Sequence, residues 1–182
     1  IGVSGGGDST YTAYLVKQLG LNPLAVHFDN GWNSELAVSN IEKTLKTLKI
    51  DLYTYVVDWE EFRDLQRAFF KASVGNVEML TDHAIAAVLF KMCKKNKLRH
   101  IISGSNLKSE GFVQHVGWAH DYFDWVNIKD ITRKFGSTKP KSFPHLSFLD
   151  WVYYVIISRV KFIPILNYFD FDKAQAITIL KD

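Results

Sequence analysis

The sequence predicts an α/β fold, a doubly wound and mostly parallel sheet with helices on both faces. Two observations carry this expectation. Short apolar runs alternate with longer segments of helical period, and the apolar runs are entered from polar or Gly/Pro-containing turns. The 182 residues suit a single domain spanning 1–182, and a hydrophobic content of 47% is ample for a core. The chain starts inside an apolar run without Met and stops in a helical pattern, so it is expected to be a piece of a longer protein.

Taken in order, strands are predicted at 1–4, 24–28, 52–57 and 100–103. Helices are predicted at 10–19, which ends at Gly20, and at 35–48, which follows Ser34 as N-cap. Two more are predicted at 59–72, ahead of Gly75, and at 77–95. From 104 to 143 the sequence is aromatic and polar, broken by Gly111, Gly117 and Gly136, and reads as loop with short helix. A helix over 146–160 and a strand or buried turn over 162–169 complete the pattern.

Composition narrows the partners. A formal net charge of +3 creates no demand for nucleic acid. The basic run Lys91, Lys94, Lys95, Lys97 and Arg99 reads as a solvated helix end. The most apolar stretch, 148–169, is interrupted by Asp150, Arg159, Lys161 and Pro164. It falls short of the roughly 20 apolar residues of a membrane span. Cys93 is the single cysteine, which excludes a disulfide framework and fits a packed helix in a reducing cytoplasm.

The chemistry concentrates in Ser4-Gly5-Gly6-Gly7-Asp8-Ser9-Thr10. Consecutive glycines let the backbone turn tightly with its N–H groups inward, and the following helix adds the positive end of its dipole. The loop has no Gly-Lys-Ser/Thr ending and no spaced dinucleotide fingerprint. Asp8 beside phosphates would repel them unless Mg²⁺ bridged the two, so the loop implies a metal-nucleotide ligand. The plain alternative is a Gly/Ser turn with Asp8 or Ser9 as a helix cap; the strand before and helix after favour the ligand.

A second polar segment, Ser103-Gly104-Ser105-Asn106-Leu107-Lys108-Ser109-Glu110, follows the fourth strand. Parallel neighbouring strands would bring both loops to one rim, where Asp8 and Glu110 share a Mg²⁺ and Lys108 faces phosphate.

The first loop resembles the Ser-Gly-Gly-x-Asp-Ser signature of the N-type ATP pyrophosphatases, the PP-loop superfamily with an adenine nucleotide alpha hydrolase-like, Rossmann-like fold. That resemblance implies cleavage of ATP between its α and β phosphates and transfer of AMP to a substrate oxygen. Ser4, Gly5, Gly6, Gly7, Ser9 and Thr10 then hold pyrophosphate, and Asp8 holds Mg²⁺ and serves catalysis. The second segment is similar to the Gly-x-x-Asn-Lys-Ser-Glu stretch of NAD synthetases, whose glutamate is a magnesium ligand. It adds Gly104 and Asn106 to the nucleotide site, with Lys108 catalytic and Glu110 on the metal. Backbone groups from Val26 to Phe28 suit adenine, with Asp29 and Asn33 beside them.

The run from Leu21 to Asn33, above all Asp29-Asn30-Gly31-Trp32-Asn33, looks like the second strand of bacterial N-acetyl-sugar amidotransferases of lipopolysaccharide and flagellin-glycan synthesis. The likeness extends to Tyr168-Phe169-Asp170-Phe171-Asp172-Lys173. Gly7 departs from it, since these enzymes often carry Lys there. The implied reaction O-adenylates an acetamido group of a sugar nucleotide and replaces the AMP with ammonia. Cys93 has no glutaminase-like setting, so a separate glutaminase subunit is expected to supply the ammonia. Trp32, Trp118, His120, Asp121, Tyr122 and Trp125 are aromatic and polar candidates for the acceptor. Thr81-Asp82-His83 receives no role. Two rivals stay open: another ammonia-dependent ligase of NAD synthetase type, and a nucleotide-binding module without turnover.

Overall fold

The computed structural model describes residues 1–110 and 123–180. Their order is α1 (Gly7–Gln18), β1 (Ala25–Asp29), α2 (Glu35–Leu48), β2 (Leu52–Val56), α3 (Trp59–Lys71), α4 (Met79–Lys95), β3 (His100–Ser103) and α5 (Leu107–Glu110). Then follow α6 (Trp125–Phe135), α7 (Phe148–Val152), a π-helical turn (Tyr153–Ile157), β4 (Lys161–Pro164), a 3₁₀ turn (Ile165–Tyr168) and α8 (Lys173–Ile179).

The mixed α/β expectation holds. Strand β1 pairs with β2 in parallel, Ala25 opposite Leu52, and β3 pairs with β4 in parallel, His100 opposite Lys161. Residues 1–3 lie between the two pairs. Gly2 forms a parallel bridge with Val26, the Val3 N–H donates to Val26 O at 3.0 Å, and the Gly2 N–H donates to Ile102 O at 3.4 Å. The spatial order is therefore β2, β1, residues 1–3, β3, β4. Each pair is parallel, residues 1–3 run parallel to β1, and the loops after residue 3 and after β3 meet where Gly104 touches Asp8.

Alternation along these strands feeds two cores. Val26, Phe28 and Ile101 join Phe62, Leu65 and Phe69 of α3, Ala84 and Val88 of α4, and Ile128 of α6. Ile1, Val3 and Ala25 face the other way and join Ala13 and Val16 of α1, Ile41 and Leu45 of α2, and Ala176 of α8. Phe62 and Phe69 are fully buried, and each such side chain contributes about 1.5–3 kcal/mol. Cys93 lies in the first core at 4% exposure, and burial pushes its thiol pKa up, which suits the packed, unreactive role read from the sequence.

Several boundaries differ from expectation. Helix α1 begins at Gly7 rather than Thr10, because Gly6 acts as N-cap and its carbonyl accepts from the Thr10 N–H at 3.0 Å. Asp8 and Ser9 thus belong to the first helical turn. The expected 146–160 helix divides into α7 and the π-helical turn, and the 162–169 run divides into β4 and the 3₁₀ turn. Within the region read as loop, α6 is an 11-residue helix that buries Ile128, Ile131 and Thr132. Among the described residues no helix is long and apolar enough to cross a membrane.

The segment after α6 is strapped to α3 by two carboxylates. Asp64 Oδ2 accepts from the Ser137 N–H, the Thr138 N–H and the Thr138 hydroxyl at 2.8–2.9 Å. Glu61 accepts from the Ser142 and Phe143 amides at 2.7–3.0 Å. Partial burial pushes both carboxyls up, but the amide hydrogen bonds outweigh it and hold each below its ordinary value. A depressed folded-state pKa stabilises the fold above the unfolded value of about 4 and loses that contribution as pH falls through the folded value. The Glu61→Gln/Asp64→Asn double variant is therefore expected to show a flatter fall in urea midpoint between neutral and acid pH than the parent. An unchanged slope would mean the strap carries no such linkage.

Candidate functional site

The site begins with a glycine that cannot be replaced. Gly5 has φ +76°, and a Cβ there would stand 2.3 Å from Ala37 O. Ala37 is fixed because Ser34 caps α2 by accepting its N–H at 3.1 Å. Asn40, one turn on, donates to Gly5 O at 3.2 Å. Backbone packs on backbone here, and the loop is pinned from the helix side. Inside the loop, Ser9 Oγ accepts from the Ser4 N–H at 3.2 Å, lies 3.2 Å from Ser4 Oγ and donates to Gly6 O at 3.0 Å. The result is a closed turn that opens onto the first turn of α1. Helical geometry gives the first-turn amides no intrahelical acceptors, so they suit an anion.

The second loop meets the first at Asp8. A Cβ on Gly104 would stand 3.0 Å from Asp8 O and 3.1 Å from Ser9 N, so the two backbones touch. Asn106, 5% exposed, donates through Nδ2 to Asp8 Oδ2 at 3.2 Å and to Gly104 O at 3.4 Å. A third segment arrives from α8: Lys173 Nζ lies 3.4 Å from Asp8 Oδ1.

These loops border a cleft of about 540 Å³, within the range of small-ligand sites. Ser4, Asp8, Ser9, Val26, Phe28, Gly104 and Ser105 line it. Opposite them stand Ile85, Ala86 and Leu89 of α4, and at one end Asn30, Asn33, Thr81 and Asp82. Burial and the Glu78 carboxylate push the Asp82 pKa up.

The sequence-derived candidates sort as follows. The loop residues 4–10, Gly104 and Asn106 come together, and Val26 and Phe28 form a cleft wall. Asp29 holds the wall from behind: its Oδ1 accepts from the Gly31 N–H at 2.9 Å and from Asn33 Nδ2 at 3.0 Å, which aims Asn33. Lys108 turns away from the loop and pairs with Asp170 at 2.5 Å, which holds the Asp170 carboxyl below its ordinary value. Glu110 closes α5, and its side chain lies outside the described residues, as do Trp118, His120, Asp121 and Tyr122. Trp125 packs in the core against His145 and His83.

Four residues went unassigned in the sequence. Thr81 and Asp82 line the cleft because α4 crosses its mouth, while their neighbour His83 is fully buried and accepts the Leu146 N–H at 3.0 Å. Asn30 donates to Thr81 Oγ1 at 3.4 Å and so joins β1 to α4. Lys173 is 165 positions from Asp8 and carries no local signal. The Asp170-to-Lys173 stretch of the family resemblance was its one marker.

The donor set fits Mg²⁺. Asp8 offers a hard carboxylate oxygen beside the first-turn amides of α1. Mg²⁺ is commonly held in this manner, by one or two carboxylates with the rest of its shell from phosphate and water.

No protein-family model matches this sequence, and no curated protein matches it. The fold is similar to the crystal structure of a predicted subunit of tRNA methyltransferase from Methanocaldococcus jannaschii. The TM-score is 0.52, covering 98% of this chain and 71% of that one at 16% identity. At that identity the likeness defines the class as a mixed α/β protein with this fold. The site has to supply the rest.

Two glycines of the loop should behave oppositely on substitution. Gly5→Ala is expected to cost about 2 kcal/mol or more, from positive φ and collision with Ala37. Gly7→Ala is expected to stay within about 0.5 kcal/mol, because its added Cβ meets only Ile177 Cγ1 at 4.0 Å. Denaturant unfolding of the two variants measures the contrast, and equal losses would contradict it.

Proposed function

We propose that this chain is an ATP-pyrophosphatase domain of PP-loop type with a doubly wound sheet, and that it serves an AMP-forming amidotransferase acting on N-acetyl sugars. One observation carries the first half: the glycine loop, the Gly104–Asn106 turn and α8 converge on Asp8 at the mouth of a nucleotide-sized cleft. A structural helix cap needs one of these neighbours. Three segments built around one carboxylate suit a charged ligand.

In this reading the first-turn amides and the Ser4 and Ser9 hydroxyls take the β and γ phosphates. Adenine lies against the Val26–Phe28 backbone, with Ile85, Ala86 and Leu89 as its apolar cover. Asp8 and Glu110 hold Mg²⁺, which supplies charge neutralisation and Lewis acidity at the phosphates. Lys108 would reach the phosphates from the second loop only by leaving Asp170.

The acceptor's carbonyl oxygen attacks the α phosphorus, and the bond to pyrophosphate breaks. The loop amides stabilise the charge that collects on the departing group. Ammonia then adds to the O-adenylated carbon, AMP leaves with the oxygen, and an acetamidino group remains after loss of a proton. Asn30, Asn33, Thr81 and Asp82 are the polar groups available to the acceptor. The choice of an N-acetyl sugar rests on the residues Asp29 to Asn33, and the ammonia on a glutaminase partner in the cytoplasm. Nucleic acid is not the favoured substrate: Lys94 and Lys95 of the basic run lie over the Tyr153 and Tyr53 rings, at 4.7 and 5.6 Å from their centroids.

The test supplies the protein with ATP, Mg²⁺, ammonium and, in separate arms, N-acetyl sugar nucleotides, deamido-NAD and tRNA. AMP and pyrophosphate release with a sugar nucleotide, together with an acetamidino product, is the expected result. Release with another acceptor would move the substrate, and nucleotide binding without pyrophosphate would reduce the chain to a binding module. Asp8→Asn and Glu110→Gln are each expected to slow release about 10²-fold or more with circular dichroism unchanged. Wild-type rates in both would remove the metal assignment.

A further inference from the structure

Position 7 poses a charge problem. A polyphosphate in the loop brings several negative charges beside Asp8, yet α1 contributes no cation to its first turn, since its basic residue in the turns described is Lys17 at the far end. Lys108, the basic residue of the second loop, lies on Asp170 and Phe171 O rather than on Asp8. Two independent observations place α8 at the vacant spot. The Lys173 ammonium stands 3.4 Å from Asp8 Oδ1, and the direction in which a Gly7 side chain would grow leads to Ile177, on the next turn of the same helix.

We propose that Lys173 is the phosphate-binding cation of this site, supplied from α8 in place of a lysine at position 7. This rests on the pyrophosphatase reading above and names a residue that the reading lacks. The geometry permits it. The Lys173 side chain is 58% exposed, so its long stem can re-aim, whereas the Asp8 carboxylate at 14% is confined. With Mg²⁺ held by Asp8, the Lys173 ammonium would be free to move from the carboxylate onto a phosphoryl oxygen. One positive charge thus serves both conditions.

The shift also joins α8 to the ligand. Helix α8 packs on α1 through Ala176 in the second core, and the Phe171 ring ahead of it lies tilted by 40° against Tyr11 with centroids 5.6 Å apart. Asn167 Oδ1 accepts from the Leu107 N–H at 2.9 Å, so the same C-terminal stretch holds the second loop. A ligand held by Lys173 is therefore expected to rigidify both loops and α8 together.

The decisive measurement is calorimetric binding of inorganic pyrophosphate with Mg²⁺ to the full chain, which needs no acceptor and no turnover. Lys173→Met, which keeps the apolar stem, is expected to weaken binding about tenfold or more. Lys173→Arg should keep most of the affinity, and Lys17→Ala at the far end of α1 should stay within about twofold of wild type. Adding Gly7→Lys to Lys173→Met should restore affinity, because a Cβ at position 7 meets Ile177 Cγ1 only at ordinary contact distance, 4.0 Å. Asp8→Asn serves to separate the two levels of argument. If Asp8→Asn abolishes binding while Lys173→Met leaves it unchanged, the Lys173 assignment is overturned and the pyrophosphatase reading survives. If wild type binds no pyrophosphate, both fall. If Gly7→Lys fails to rescue a weakened Lys173→Met, the substitution of one cation for the other is overturned.

Discussion

The structure depends on backbone meeting backbone at two glycines. At Gly5 the loop presses on the Ala37 carbonyl of α2, and at Gly104 the second loop presses on the Asp8 carbonyl and the Ser9 amide. A Cβ at Gly5 would force the segments apart, whereas one at Gly104, 3.0 Å from Asp8 O, would ask them to give by a few tenths of an ångström. These contacts set where the first turn of α1 points, and hence where Asp8 stands. The cleft, the approach of Asn106 and the reach of Lys173 all follow from that placement.

The sheet makes the contacts possible. Residues 1–3 bond to β1 on one side and to β3 on the other, so the loops that follow these strands leave the same rim as neighbours. His27 secures the first junction. It is 6% exposed, and its Nδ1 lies 2.9 Å from Val3 O; a carbonyl only accepts, so Nδ1 carries the proton. A buried histidine in the strand beside the cleft thus clamps β1 to the stem of the first loop through Nδ1.

Charge is arranged in the same economical manner. Asp8 and Asp82 are carboxylates of the cleft lining, one in the first turn of α1 and the other on α4 under partial burial that raises its pKa. Far from the cleft, the strap carboxylates Glu61 and Asp64 are tuned downward by amides. Their work is to hold the 137–143 segment against α3, whose Phe62 and Phe69 anchor the first core.

Much of this was legible in the sequence, and the reason is locality. The apolar runs and helical periods gave the parallel α/β class, Ser34 announced the cap of α2, and the glycine run announced the tight turn ahead of α1, because each signal lies within a few consecutive residues. Boundaries were less legible. Helix α1 starts at Gly7 because Gly6 O finds the Thr10 amide, a preference that glycine's own weak helix propensity hides. What only the tertiary structure decided is which distant groups share the cleft. The pairing of Lys108 with Asp170 and the approach of Lys173 to Asp8 join residues far apart in the chain, and no local signal records them. The sequence left Thr81 and Asp82 without a role, whereas α4 carries them across the cleft mouth. Periodicity records which face of an element is buried, but it holds no record of which element lies opposite. That is fixed by strand order and by backbone clearance, and here by two missing Cβ atoms.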